Sequence, residues 1–209
     1  MKKICLLIAL FAVCTTAFSQ EEDSKPAKSR SSYVNIGYAE SKLNQDDFSQ
    51  LKSEWGASFT IGKTFYLHKK PILKFIKFGI DASWLDLTYA NYEVKPYFEK
   101  KETFHHAEAA IHVGPSITLT PVNGLNLCGY FRYAPTFSAM YGGDTFKCAY
   151  ATRFVGGASL SYKAIGVGFE SRFGNSKFTP FYAFFDEVED AGKIKTKLTG
   201  FRVYVTFRY

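Results

Sequence analysis

The sequence is poor in cysteine and has no long apolar run. Its four cysteines are Cys5, Cys14, Cys128 and Cys148, with no Cys-x-x-Cys pair among them. This removes the common zinc-ribbon and dithiol-redox patterns. No glycine-rich phosphate loop is present either. No apolar stretch approaches the roughly 18 residues that a helix needs to cross a bilayer, and the mean hydropathy is −0.12. A helical membrane protein is therefore excluded. A membrane barrel is not, because alternating strands average out in hydropathy. Acidic residues number 19 against 26 Lys and Arg, a formal net charge of +7. In an intracellular chain that excess would point to nucleic acid.

The N-terminus argues against that setting. Lys2 and Lys3 precede the apolar stretch Ile4 to Val13, and Ala17 and Ser19 are small residues placed for cleavage before Gln20. This is the layout of a secretory signal peptide, residues 1–19. Cys14 raises the alternative of a lipid-modified cysteine, but Val13 before it is larger than such sites prefer. An exported chain meets no nucleic acid and does meet anionic lipid. Residues 20–31 are charged and lack large apolar side chains, so they read as a flexible periplasmic linker.

From Ser32 onward the hydrophobic period is two. Eight segments follow, at about 33–39, 54–67, 77–90, 106–120, 125–141, 152–162, 165–173 and 197–209. The phase of the third slips near Leu85, as a bulge would cause. Long connections are expected at 40–53, 90–105, 142–151 and 174–196, and short ones at 68–71, 121–124 and 163–164. Asn123-Gly124 is a type I′ hairpin signal. An even strand number with long loops at one end and tight turns at the other is the layout of a membrane barrel. Strands of about nine to thirteen residues suffice to cross the bilayer core when tilted.

The two faces differ in kind. One carries large aromatics and branched aliphatics. The other is rich in Gly, Ser and Thr and carries Asp81, Glu108, Arg132, Arg153, Glu170, Arg172, Arg202 and Arg208. A water-exposed face would carry many Lys and Glu. Small residues with charges of both signs suit a crowded interior in which Arg forks pair with carboxylates. Glu108 with Arg132 or Arg153 is the expected ion pair. Lys63 falls on the apolar face, where it either snorkels to the periplasmic interface or is turned inward by a bulge. Aromatics make up 18% of the chain, which fits girdles at the two membrane interfaces. Trp55, Trp84, Tyr38 and Tyr141 belong toward the outer rim, and Tyr162, Phe207 and Tyr209 toward the periplasmic rim.

Catalytic and metal chemistry find little support. Glu108, His112 and Ser116 share a strand face, but members four residues apart lie roughly 13 Å from each other at strand rise, beyond triad contact. Adjacent His105 and His106 point to opposite faces, leaving too few ligands for a metal. Cys128 and Cys148 belong to opposite ends of the barrel, so both are expected as free thiols.

The signal ending "AFSQ", the hairpin "GPSITLTPVNGLNL" and the terminal "FRVYVTFRY" together resemble the outer-membrane β-barrel (porin-like) proteins of Bacteroidetes. In size and strand count the chain is similar to the OmpA/OmpX type of small barrel, from about Ser32 to the end. The resemblance implies an outer-membrane location. It also implies a C-terminal aromatic strand, with Phe207 and Tyr209, read by the barrel-assembly machinery. It implies no catalytic residues.

The expectation is an all-β fold, an eight-stranded antiparallel up-and-down transmembrane β-barrel over residues 32–209 with a side-chain-filled interior. It would be a non-enzymatic monomer without cofactor, metal or nucleic acid. Its partners would be outer-membrane lipid and lipopolysaccharide, with a structural or surface-interaction role for its loops. The alternatives are a narrow channel for small solutes or ions and a lipid A-modifying enzyme. Such a protein partitions into the detergent phase on extraction and shows heat-modifiable gel migration; aqueous partitioning without heat modification would overturn the membrane reading.

Overall fold

The computed structural model describes residues 30–45, 48–94, 102–142, 145–178 and 194–209. The signal peptide and most of the linker lie outside the described residues, as does most of the 174–196 connection. Eight strands follow in order: β1 Ser32–Gln45, β2 Phe48–Tyr66, β3 Ile76–Val94, β4 Glu102–Leu119, β5 Leu125–Gly142, β6 Thr145–Tyr162, β7 Ile165–Phe178 and β8 Ile194–Arg208. Each pairs antiparallel with the next, and β1 pairs with β8 to close a barrel. The closing seam runs in unbroken register from Tyr33↔Arg208 to Gln45↔Thr196. Ser32 and Tyr209 finish it by exchanging backbone hydrogen bonds of 3.3 and 3.0 Å. The terminal "FRVYVTFRY" is thus a seam strand.

The outward face is apolar in the half nearer the short turns. Ile36, Phe65, Phe78, Ile80, Ile111, Val113, Phe131, Val167, Phe169, Val203 and Phe207 all stand exposed there. A barrel surrounded by water would bury them; one surrounded by lipid need not. Aromatic contacts tie the belt together. Phe131, Phe154 and Phe173 stack across β5, β6 and β7 at centroid distances near 6 Å. Higher up, Trp55, Tyr89, His105 and Tyr141 form a chain across β2 to β5 with centroids 5.2, 6.0 and 6.4 Å apart. Trp55 and Tyr141 therefore share the expected upper girdle. Trp84 stands lower, at the middle of β3. Lys63 faces outward between Ile61 and Phe65, near the turn end, with its Nζ 5.4 Å from the Phe65 ring centre. That is the snorkelling placement.

Two expectations need correction. The strands span 14 to 19 residues, longer than the bilayer core demands. Much of what reads as loop at 40–53, 90–105 and 142–151 is strand. The reason is on the inward face: Leu43, Leu51, Tyr92, Phe104 and Met140 pack together there, and paired strands hold them in place. The second correction concerns Asn123-Gly124. Gly124 alone is left-handed, with φ 88°, whereas a type I′ turn needs two such residues. The connection runs from Thr120 to Gly124, so one left-handed residue reverses the chain. The phase slip expected near Leu85 is present as a bulge. Register shifts between Ser83 and Asp86, and between Ile61 and Gly62 on β2, exchange the inward parity of β3. Asp81 and Ser83 point in below the bulge, and Asp86, Thr88, Ala90 and Tyr92 point in above it.

The interior is crowded enough that glycine is required at particular points. A Cβ on Gly168 would lie 2.3 Å from the Tyr204 ring, which covers the glycine from the next strand. Gly168→Ala should push that ring from its place. The expected cost is about 1–3 kcal/mol, typical of overpacking, read as a lower denaturant midpoint in detergent-solubilised protein.

Candidate functional site

The interior is built in two tiers. The lower tier is a charged layer held by side chains from β2 to β8. Asp86 is its hub. Arg202 meets it as a fork, with Nη1 donating to Oδ2 at 2.6 Å and Nη2 to Oδ1 at 2.8 Å. Arg172 Nη2 donates to the same Oδ1 at 3.3 Å, and Thr60 Oγ1 donates to Oδ2 at 2.8 Å. His112 Nε2 stands 3.7 Å from Asp86. Arg202 Nη1 also reaches Glu170 Oε1 at 3.1 Å, and Arg172 Nη1 reaches Glu108 Oε2 at 3.5 Å. Arg153 Nη2 completes that carboxylate.

Nearer the turns, Asp81 accepts from Tyr33 Oη at 2.7 Å and Thr64 Oγ1 at 2.8 Å. Arg132 Nε lies 2.9 Å from Asp81 Oδ1. Its N–H is not directed at that oxygen, so the contact is Coulombic. The Arg132 guanidinium also stacks 3.6 Å over the Tyr130 ring, and Tyr130 Oη bonds Glu170 at 3.0 Å and Tyr204 Oη at 2.7 Å.

Seven of the eight charged residues expected on the inner face, Asp81, Glu108, Arg132, Arg153, Glu170, Arg172 and Arg202, are all buried and all ion-paired with one another or with Asp86. Of the two partners open to Glu108, the structure selects Arg153. Arg132 goes instead to Asp81, because β5 carries it lower in the barrel. Asp86 is not in the expected set, although Arg172 and Arg202 both donate to it. Its signal was present: a bulge at Leu85 returns the even-numbered positions to the interior. Arg208 also points inward, at the turn-end mouth, with its guanidinium 5.6 Å from the Tyr33 ring. Phe207 and Tyr209 stand outward on the apolar face.

The upper tier is apolar. Leu43, Leu51, Ala90, Tyr92, Phe104, Met140, Ala151 and Leu198 pack as one buried cluster inside the loop end. Outside the same level, Asn44, Lys52, Glu54, Glu93, Thr103, Lys195 and Lys197 are exposed. On these strands the polarity of both faces reverses. Below, the barrel is polar inside and apolar outside; above, it has the apolar core and polar surface of a water-soluble barrel. The β5–β6 hairpin keeps outward aromatics, Tyr141, Phe146 and Tyr150.

Among the described residues, those that could do chemistry do not meet as a reactive set. Glu108 turns to Arg153, His112 to Asp86, and Ser116 lies buried without a hydrogen-bond partner. His106 Nε2 is 2.5 Å from Ser138 Oγ and 3.5 Å from Glu108 Oε1. Both groups approach one ring nitrogen, whereas a triad places acid and nucleophile on opposite nitrogens. His105 faces out, with Nδ1 2.6 Å from Tyr89 Oη. Among the described residues no group of three His, Cys, Asp or Glu side chains could hold a metal ion. Cys128 is buried, Cys148 is exposed, and both are free thiols. The void between Glu108, Arg153, Arg172 and Arg202 has a volume of about 10 Å³, room for about one water molecule.

A closed eight-stranded antiparallel barrel with an apolar belt outside and a charged layer inside defines a class by construction: the small outer-membrane type of β-barrel. Known structures of outer-membrane proteins are similar to it. The outer membrane protease OmpT from Escherichia coli is similar at 7% identity, over 90% of this chain and 99% of that one, with a TM-score of 0.50. Neisserial surface protein A matches at 11% identity over 85% and 97%, with a TM-score of 0.49. The attachment invasion locus protein Ail of Yersinia pestis matches at 12% over 87% and 100%, with a TM-score of 0.42. No family model and no curated protein matches the sequence.

The charged layer should behave as a unit. Asp86→Ala leaves Arg202 and Arg172 buried without their shared carboxylate, an expected loss of about 3–5 kcal/mol. Asp86→Asn combined with Arg202→Met should cost less than the two single changes added together, checked by denaturant unfolding in micelles as a double-mutant cycle.

Proposed function

We propose that this chain is an integral outer-membrane barrel that does not conduct, and that it acts structurally or through surface interactions at its extracellular end. The single observation that carries this reading is the two-tier interior. A conducting path needs continuous water. Here the ion-paired layer is followed toward the loops by a buried plug of Leu43, Leu51, Tyr92, Phe104, Met140 and Leu198. The reversed polarity of the upper strands supports an extension beyond the bilayer, which would carry the extracellular connections on a stiff β-stalk rather than at the lipid surface.

In this reading the short turns and both chain ends are periplasmic. The apolar belt meets lipid, and the upper Trp and Tyr girdle meets the lipopolysaccharide leaflet. Phe207 and Tyr209 serve the assembly machinery before they serve the lipid face. The barrel works as a monomer and without catalysis. The burial of His106 and Ser138 beneath the plug supports the last point, because a lipid substrate would have no route to them.

The test is electrical. Purified refolded protein added to a planar bilayer should give no discrete conductance steps above the bare membrane. Reproducible steps would establish the narrow-channel alternative instead.

A further inference from the structure

The three short turns at the lower end of the barrel are not alike. Thr120–Gly124 carries no charge, and the turn after β6 is Lys163-Ala164. The connection between β2 and β3 is "LHKKPILKF", Leu67 to Phe75, with Lys69, Lys70 and Lys74 and no acidic residue. It exposes Leu67, Ile72 and Leu73 to 65%, 46% and 71%. The connection continues directly from the ends of β2 and β3 that carry the outward Phe65 and Phe78, with Leu67 paired to Phe78 through the backbone.

The segment is ordered. Ile72 and Ile76 exchange backbone hydrogen bonds of 2.8 and 2.9 Å. Phe75 O accepts from Thr120 N of the neighbouring turn at 2.8 Å, and Leu67 N donates to Phe78 O at 3.0 Å. The resulting small hairpin has Leu73 and Lys74 at its tip with φ of 49° and 68°. Two successive left-handed positions ordinarily take Asn-Gly. A leucine and a lysine there accept backbone strain to place one apolar and one cationic side chain at the tip, and such strain persists where something other than turn chemistry is served.

We propose that this β2–β3 hairpin is a membrane-surface anchor that dips Ile72 and Leu73 into the periplasmic leaflet while Lys69, Lys70 and Lys74 bind the anionic headgroups of its phospholipids. Continuity with the apolar belt places the hairpin at the leaflet boundary. The lysines supply the charge complement, and a polybasic segment beside apolar residues is the physical pattern of interfacial binding. The proposal rests on the membrane reading above, and the test separates the two.

A fluorophore sensitive to its surroundings is attached at Leu73→Cys, and separately at Val203→Cys on the belt, in a Cys148→Ser background. Each protein is refolded into vesicles of phosphatidylcholine, with or without phosphatidylglycerol, whose acyl chains are brominated. Heat-modifiable migration confirms folding in every case. The expected result is quenching at both positions. The signal at position 73 alone should be strengthened by phosphatidylglycerol and should drop by about half or more in high salt or with Lys69→Gln, Lys70→Gln and Lys74→Gln together. A label at Ile72→Cys gives a second reading. Leu73→Asn with Lys74→Gly, which suits the turn better, should fold normally and lose the quenching at position 72. If position 203 is quenched while position 73 is open to aqueous iodide in every lipid, the anchor is overturned and the barrel stands. If position 73 becomes protected only on adding a periplasmic protein extract, the occupant is a protein and the anchor is again overturned. If neither position is quenched in folded protein, the membrane reading fails with it.

Discussion

The pairing of β1 with β8 is the constraint on which everything else rests. In hydrocarbon, an unpaired backbone N–H or C=O costs several kcal/mol, so a sheet in lipid has to close. The seam from Tyr33↔Arg208 to Gln45↔Thr196 removes the last two edges. Once the ring is closed, alternation sends every second side chain into a narrow lumen and the rest outward. Neither set is then free to choose its solvent. Eight strands leave a lumen that side chains just fill, which is why Gly168 has to make way for Tyr204.

Filling that lumen with charge follows from the same geometry. A buried guanidinium needs carboxylates on several sides, and in a small barrel those sides are other strands. Asp86 from β3 meets Arg172 from β7 and Arg202 from β8 across the lumen, and Arg153 from β6 meets Glu108 from β4. These cross-lumen contacts brace the barrel against flattening. The bulge at Trp84 and Leu85 makes the arrangement possible. Without it Asp86 would face lipid, and the charge balance of the layer would be lost.

The apolar tier above the charges answers to a different solvent. There the outward residues, among them Lys52, Glu54, Lys195 and Lys197, face water, and the hydrophobic effect again favours an apolar core. One continuous sheet thus carries two opposite inside-outside patterns. In the proposed membrane reading, the switch between them is where the upper end of the barrel leaves the lipid. At the lower end, the exposed Ile72 and Leu73 and the lysines beside them are its proposed counterpart.

The period-two alternation alone determined the strand count, the antiparallel order and which face turns inward, because small residues with charges of both signs suit a crowded interior. It also placed Asp81, Glu108, Arg132, Arg153, Glu170, Arg172 and Arg202 together on the inner face. The tertiary structure alone decided the rest. It paired Glu108 with Arg153 and sent Arg132 to Asp81, since axial height depends on the stagger between strands and not on any one strand's pattern. It made Asp86 the hub, because a one-residue slip exchanges faces. And it turned the supposed loops into strands, because Leu43, Tyr92, Phe104 and Leu198 find one another only after the barrel has closed.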